Sequence, residues 1–178
     1  MQKHRPPHIY LNHEYYFLTA ATYHKIAYID NRFKKNLLKD LIFHVFNRYE
    51  YRLESWVILD NHYHLLFQTS LGRYLPRAMA TIHGKCTIEF NKIDGESGRK
   101  VWYQYWDYCI RNETDYWRHF NYIHQNPIKH GYIDTIDELS TFQFSSFGDW
   151  VKEKGKDWID ACFREYSIID FTREEDDF

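Results

Sequence analysis

Tyr51-Arg52-Leu53-Glu54-Ser55-Trp56-Val57-Ile58-Leu59-Asp60-Asn61-His62-Tyr63-His64-Leu65-Leu66-Phe67-Gln68-Thr69 holds two apolar, branched and aromatic runs separated by Asp60-Asn61. Such runs favour strands and an Asp-Asn pair favours a tight turn, so the segment predicts a β-hairpin with strands over 51–59 and 62–69. Upstream, Phe33, Leu37, Leu38, Leu41, Ile42, Val45 and Phe46 recur at three- and four-residue steps after Asp30-Asn31. That spacing predicts an amphipathic helix ending near Arg48. Further upstream, Tyr15–Thr22 is rich in β-favouring residues and reads as a first strand. Downstream, Leu75, Met79, Ile82, Cys86 and Phe90 predict a second helix over 74–91, and 91–100, with Gly95 and Gly98, a surface loop. Val101–Ile110 reads as a fourth strand. Thr114 or Asp115 would cap a third helix carrying Trp117, Phe120, Ile123 and His124, interrupted by Pro127 and ended at Gly131.

The order is β-α-β-β-α-β-α. The expected fold class is therefore α+β: a ferredoxin-like βαββαβ antiparallel sheet with helices on one face, plus a third helix that carries Tyr122. Residues 1–133 form the expected domain and 134–178 a C-terminal extension, packed on that domain or frayed from it. The extension holds a weakly amphipathic stretch over 142–150 and an acidic end, Arg173-Glu174-Glu175-Asp176-Asp177, expected to fray.

The chain has 178 residues, a length suited to one domain of roughly 150 residues with a short appendage. Three cysteines, Cys86, Cys109 and Cys162, are odd in number and widely spaced, which excludes a disulfide framework and a cysteine zinc site. A reducing, cytoplasmic setting is expected. No run approaches the ~18 apolar residues of a membrane span, and the first residues lack the apolar stretch of a secretion signal. A net charge of -2 and a pI of 6.6 argue against nonspecific coating of duplex DNA, which needs many Lys and Arg contacts. Any nucleic-acid binding must be local. The 20% aromatic content and 11 histidines supply groups that stack on bases or bind metals, although a Tyr- and Phe-built core explains the aromatic content equally.

Two local features carry chemistry. His62 and His64 alternate on one strand, so they project from the same face about 6 to 7 Å apart and can share one metal ion. As a bare pattern, such a pair is as readily exposed or packed. On the third helix, in Asn121-Tyr122-Ile123-His124-Gln125-Asn126-Pro127-Ile128-Lys129-His130-Gly131, Tyr122 and Asn126 stand four residues apart on one face. A phenol beside a carboxamide suits a nucleophile next to a metal-polarised phosphate, because phenol is a poor nucleophile at neutral pH without help. The plain alternative is a tyrosine packed between helix and sheet. His4, His8, His13, His24, His44, His83, His119, His124 and His130 read as surface or packed residues, and Cys86 as core.

Taken together, NHYHLLFQ, then VWYQYWDYCIRN, then YIHQNPIKHGYI, in this order and at these separations, closely resemble the REP-associated tyrosine transposases. These are bacterial relatives of the single-tyrosine transposases within the HUH endonuclease superfamily. The similarity runs from Arg5-Pro6-Pro7-His8-Ile9-Tyr10-Leu11 through Phe144-Ser145-Ser146-Phe147, most of the chain, and that family's fold is ferredoxin-like. Two features depart from its pattern: Asp60 stands where members usually have proline before the asparagine, and the pI of 6.6 is less basic than is common.

The resemblance implies a metal-dependent single-strand DNA endonuclease and strand transferase, a transposase that forms a 5′-phosphotyrosine intermediate beside hairpins. It implies Tyr122 as nucleophile, His62, His64 and Asn126 as metal ligands, Mg²⁺ or Mn²⁺ as the ion, and no nucleotide cofactor. The implied partner is single-stranded DNA with hairpin or palindromic elements, with Arg5, Arg73, Lys85, Arg99, Lys100, Arg111 and Lys129 as candidate phosphate contacts. A monomer working in cis is favoured over a homodimer working in trans. The alternatives are a non-cleaving regulator that binds hairpin DNA, another HUH enzyme such as a replication initiator or relaxase, and a histidine-rich metal- or RNA-binding module of the same fold.

Overall fold

The computed structural model describes residues 10–169. β1 spans Tyr15–Thr22, α1 Arg32–Arg48, β2 Arg52–Ile58, β3 His62–Gln68, α2 Leu75–Asp94, β4 Trp102–Cys109 and α3 Glu113–Lys129. α4 (Phe147–Lys154) and α5 (Lys156–Glu165) follow, with 3-10 turns at Tyr23–Lys25, Gly72–Tyr74 and Ile136–Thr141. The sheet order is β2-β3-β1-β4 with every neighbour antiparallel. This is the ferredoxin-like arrangement expected of a βαββαβ unit, and it places β3, the strand with both histidines, in the interior between β2 and β1.

Alternation divides the strands between two cores. Tyr16, Leu18 and Ala20 of β1 and Tyr63, Leu65 and Phe67 of β3 point into a core shared with Leu38, Ile42 and Phe46 of α1 and Ala78, Met79, Ile82 and Phe90 of α2. Their neighbours Phe17 and Leu66 face the other way, with Val57, onto Phe120, Tyr122 and Ile123 of α3 and Cys162 of α5. Each fully buried Leu, Ile or Phe in these layers contributes about 1.5–3 kcal/mol. The helices of the βαββαβ unit thus share one face as expected, while α3 and α5 cover the opposite one, so both faces of the sheet are buried.

Several boundaries differ from the sequence expectation for local physical reasons. α1 begins where expected, with the Asn31 side chain accepting the Lys34 N–H at 3.0 Å, a cap of about 1 kcal/mol. α3 is capped by Asn112, whose carboxamide oxygen accepts the Asp115 N–H at 2.9 Å, and not by Thr114 or Asp115. Pro127 does not interrupt α3: it forgoes the one N–H bond that position 127 would make to the Ile123 carbonyl, and the helix continues to Lys129. The last turn is closed by Gly131, at φ 69°, and by the Tyr132 N–H donating to the Pro127 carbonyl at 2.9 Å.

Within 134–169, hydrogen bonds with the preceding strands and α3 run from residue 144 to Tyr166. Ile58 N donates to the Phe144 carbonyl (2.9 Å), Ser146 N to the Trp56 carbonyl (3.0 Å) and Trp56 N to Ser146 Oγ (2.9 Å), so residues 144–146 form a short rung along the outer edge of β2. Asn121 Nδ2, fully buried on α3, donates to the carbonyls of Cys162 (2.9 Å) and Tyr166 (2.7 Å) and pins α5. α4 takes up part of the amphipathic stretch at 142–150, whereas α5 was not anticipated. The acidic run at 173–177 lies outside the described residues. Among the described residues, all three cysteines are free thiols and no helix is long and apolar enough to cross a membrane.

Candidate active site

β3 turns His62 and His64 toward α3, and α3 turns Tyr122 and Asn126 toward β3. His62 Nε2 lies 3.1 Å from Asn126 Oδ1. The His62 and His64 rings are 5.1 Å apart, and the Tyr122 ring is 5.2 Å from that of His64. The four residues singled out in the sequence are therefore brought together within one chain. Phe17, from β1, packs beneath them, 5.5 Å from the His64 ring and 6.0 Å from that of Tyr122.

Supporting hydrogen bonds fix both imidazoles. His64 Nδ1 is 2.8 Å from Thr19 Oγ1, across the β1–β3 ladder that pairs these two residues. His62 Nδ1 is 2.7 Å from Asn61 Oδ1, and the same carboxamide donates through Nδ2 to the Lys25 carbonyl at 3.0 Å. Lys25 belongs to the turn that closes β1, after Ala21, which pairs with His62. Neither Thr19 nor Asn61 was recognised as a site residue. Thr19 is defined only by strand register, and Asn61 was read only as a turn former.

Burial pushes His62 down to about 4, aided by the neighbouring His130 and, more weakly, by the ammonium groups of Lys129 and Lys25. Burial also holds His64 well below the usual imidazole range, with His62, His130 and Lys129 adding to the effect. Both rings are therefore neutral at pH 7 and can offer lone pairs. Lys129 brings positive charge to both rings and Lys25 to His62, on a chain of net charge -2.

The donor set fits a divalent cation. A neutral imidazole carries one N–H, so with Nδ1–H donated to Asn61 Oδ1 the lone pair of His62 Nε2 points toward the Asn126 carboxamide. His64 Nε2 is buried without a hydrogen-bond partner, as is Asn126 Nδ2. His62 Nε2, His64 Nε2 and Asn126 Oδ1 are the atoms able to hold the ion, and the partners of the opposite ring nitrogens, Asn61 and Thr19, are the kind that orient ligating histidines. Among the described residues no group of three His, Cys, Asp or Glu is placed to bind a metal.

Tyr122 is 5% exposed and opens onto a groove of about 430 Å³ lined also by Gln125, Asn126, Ile128, Lys129 and Ile168. Lys129 Nζ stands 5.2 Å from the Tyr122 ring centroid. His130, read from sequence as surface or packed, places its ring 4.7 Å from His62, and Lys25 adds an unanticipated cation. His124 packs, with Nε2 2.9 Å from Ser146 Oγ.

The remaining candidate phosphate contacts scatter. Lys100 lies over Tyr23 (4.4 Å), beside the Asn61 turn. The Arg99 guanidinium is held by Asp94 Oδ2 (2.6 Å) and Asn91 Oδ1 (2.9 Å) and covers Tyr28. Arg111 lies over Tyr108 before α3 begins, at the end of the helix remote from Asn126. Arg73, in the turn after β3, rests on Tyr74, and Lys85 is exposed on α2, across the sheet from α3. Arg5 lies outside the described residues.

Residues 10–126 match the family described as "Transposase IS200 like". A REP-associated tyrosine transposase of Escherichia coli K12 is 25% identical over 140 residues, covering 74% of this chain and 79% of that protein. A Haemophilus influenzae protein assigned to the same group is 30% identical over 132 residues, covering 62% of this chain and 68% of that one. A solved structure of a REP-associated tyrosine transposase bound to a REP hairpin superposes with a TM-score of 0.69 at 23% identity, covering 100% of this chain and 95% of that one, which establishes the shared fold.

Proposed function

The chain belongs to the IS200-like transposase family and, within it, to the REP-associated tyrosine transposases; from that premise we propose that it nicks and rejoins single-stranded DNA beside hairpins through Tyr122. The observation that carries this reading is the meeting of His62, His64, Asn126 and Tyr122 in one chain, with Lys129 beside the phenol ring. That meeting also supports a monomer acting in cis, and the proposal includes action in the cytoplasm. The hairpin is taken from the relative solved with one.

In the proposed reaction the Tyr122 phenol gives up its proton and its oxygen bonds the phosphorus. The P–O3′ bond breaks, and the departing 3′ oxygen takes up a proton. The DNA is then joined by its 5′ phosphate to the tyrosine, and attack by a later 3′ hydroxyl restores a phosphodiester and frees the phenol, so no nucleotide cofactor is needed. Lys129 stands beside the phenol ring, where its charge favours the approaching phosphate. Mg²⁺ or Mn²⁺ held by His62, His64 and Asn126 would polarise a non-bridging phosphate oxygen.

The test is a denaturing gel of the protein with hairpin oligonucleotides that carry unpaired flanks, in Mg²⁺ or Mn²⁺, beside Tyr122→Phe and His64→Ala. A DNA-linked protein band that both substitutions remove is expected. Retardation of the hairpins without any such band would instead favour a regulator that binds and does not cleave.

A further inference from the structure

Directly beyond the His62 end of the sheet, the 3-10 turn Tyr23–Lys25 closes β1 and meets the start of β4 through the Tyr23 N–H, which donates to the Val101 carbonyl at 2.8 Å. It gathers the Tyr23 ring, the His24 ring 4.0 Å away, and Lys100 Nζ 4.4 Å above Tyr23 and 5.6 Å from the Tyr103 ring. Tyr23 and Tyr103 are half-buried, whereas His24, Lys25 and Lys100 are exposed.

The backbone here is unusual. His24 and Lys25 both have φ 53°, two consecutive left-handed residues neither of which is glycine. Such residues are strained and persist only where their surroundings over-determine them. They are over-determined: Thr22 Oγ1 donates to the Ile26 carbonyl at 2.6 Å, Ile26 N to the Tyr23 carbonyl at 3.3 Å, and Asn61 Nδ2 to the Lys25 carbonyl at 3.0 Å. Asn61 is also the carboxamide that holds His62 Nδ1. One side chain therefore ties the strained turn to the imidazole beside the reacting phosphate.

Nothing in the core requires this turn, since none of Tyr23, His24 and Lys25 is buried. Flat rings interleaved with ammonium groups are the surface on which unpaired nucleotides stack and seat their phosphates. Lys25 and Lys129 both act on His62, and Lys100 continues the cationic line past the turn. We propose that Tyr23, His24, Lys25, Lys100 and Tyr103 form a subsite for an unpaired nucleotide flanking the scissile phosphate, held in register with His62 by Asn61. This rests on the single-strand DNA reading above and names where the strand continues.

The test measures binding, with no divalent ion added, to a hairpin with an unpaired flank, to the same hairpin cut flush, and to an unpaired strand alone. The subsite gives the wild type a preference for the flanked over the flush hairpin of about tenfold. Tyr23→Leu and Lys100→Gln, each checked for an unchanged melting temperature, should erase that preference and leave the flush hairpin bound as before. Equal losses on both hairpins, or a preference that survives both substitutions, would overturn the subsite. If the wild type binds hairpins no better than the unpaired strand, the hairpin reading fails, yet the subsite still requires both variants to weaken binding of the unpaired strand. Unchanged binding there would sink it too.

Discussion

The Thr19 hydroxyl lies 2.8 Å from His64 Nδ1, and this contact decides which nitrogen of His64 faces the site. With Nδ1 engaged, Nε2 is left buried and without a hydrogen-bond partner among the described residues, oriented as a ligand nitrogen must be.

Thr19→Val keeps the shape of the side chain and removes the hydroxyl. The half-saturating Mn²⁺ concentration for formation of the DNA-linked protein should rise about 10- to 100-fold, while Thr19→Ser should stay close to wild type. Titrations of adduct against Mn²⁺ check this; equal midpoints for Val and wild type would show that Thr19 does not orient His64.

Asn121 tests whether the extension is part of the domain. Its carboxamide bonds the carbonyls of Cys162 and Tyr166 and accepts from Cys162 Sγ at 3.3 Å. Asn121→Ala leaves those buried groups unsatisfied and should cost about 2–3 kcal/mol in urea unfolding. Residues 155–169 should become sensitive to protease while 10–133 stays protected. A variant as stable and as resistant as wild type would mean that α5 contributes nothing to the fold.

Patterns confined to neighbouring residues were legible in the sequence, and relations set by packing were not. β1 and the Asn31 start of α1 stand where β-favouring composition and capping placed them. The same reach of a few residues exposed the site: His62 and His64 are two apart on a strand, Tyr122 and Asn126 four apart on a helix. Thr19 escaped notice because only the β1–β3 register sets it opposite His64. α5 escaped notice because it is short, and what holds Cys162 and Tyr166 in place is a residue forty positions upstream, Asn121. Lys25 reaches the site only through a left-handed turn that non-glycine residues rarely adopt.

A separate pH dependence resides on the opposite face of the sheet. His83 stacks on Trp102 at 4.3 Å, places Nε2 2.8 Å from Tyr63 Oη, lies near the Tyr105 ring, and is pushed down to about 3 by burial. The unfolded ring titrates near 6.5, so between these values the unfolded chain binds a proton that the folded chain refuses. This stabilisation is complete above pH ~6.5 and is lost as pH falls toward 3, by on the order of a few kcal/mol. Urea unfolding from pH 7 to 4 should show a smaller decline for His83→Gln than for wild type; parallel curves would remove His83 as the cause.

The residue at which this chain departs from its family is built into the fold through a partner. Asp60 Oδ1 lies 2.5 Å from the buried ammonium of Lys35, which sits between the rings of Tyr132 (5.4 Å) and Phe144 (5.3 Å), while the Asp60 N–H donates to Tyr132 Oη at 3.1 Å. A proline at this position would stiffen the turn by its fixed φ. Here an ion pair joins α1 to the turn that presents Asn61 and His62, and aromatic rings on both sides exclude water from its cationic end. Lys35→Met or Asp60→Pro alone strands one member of the pair and should cost about 1–3 kcal/mol, since Asp60 remains partly open to solvent. The double variant exchanges one means of rigidifying the turn for the other, so its cost should fall below the sum of the single costs by about 1 kcal/mol or more. Its Mn²⁺ midpoint for adduct formation should likewise lie nearer to wild type than that of either single variant. Additive stabilities together with unchanged midpoints would mean that Lys35 and Asp60 do not jointly hold the His62 turn.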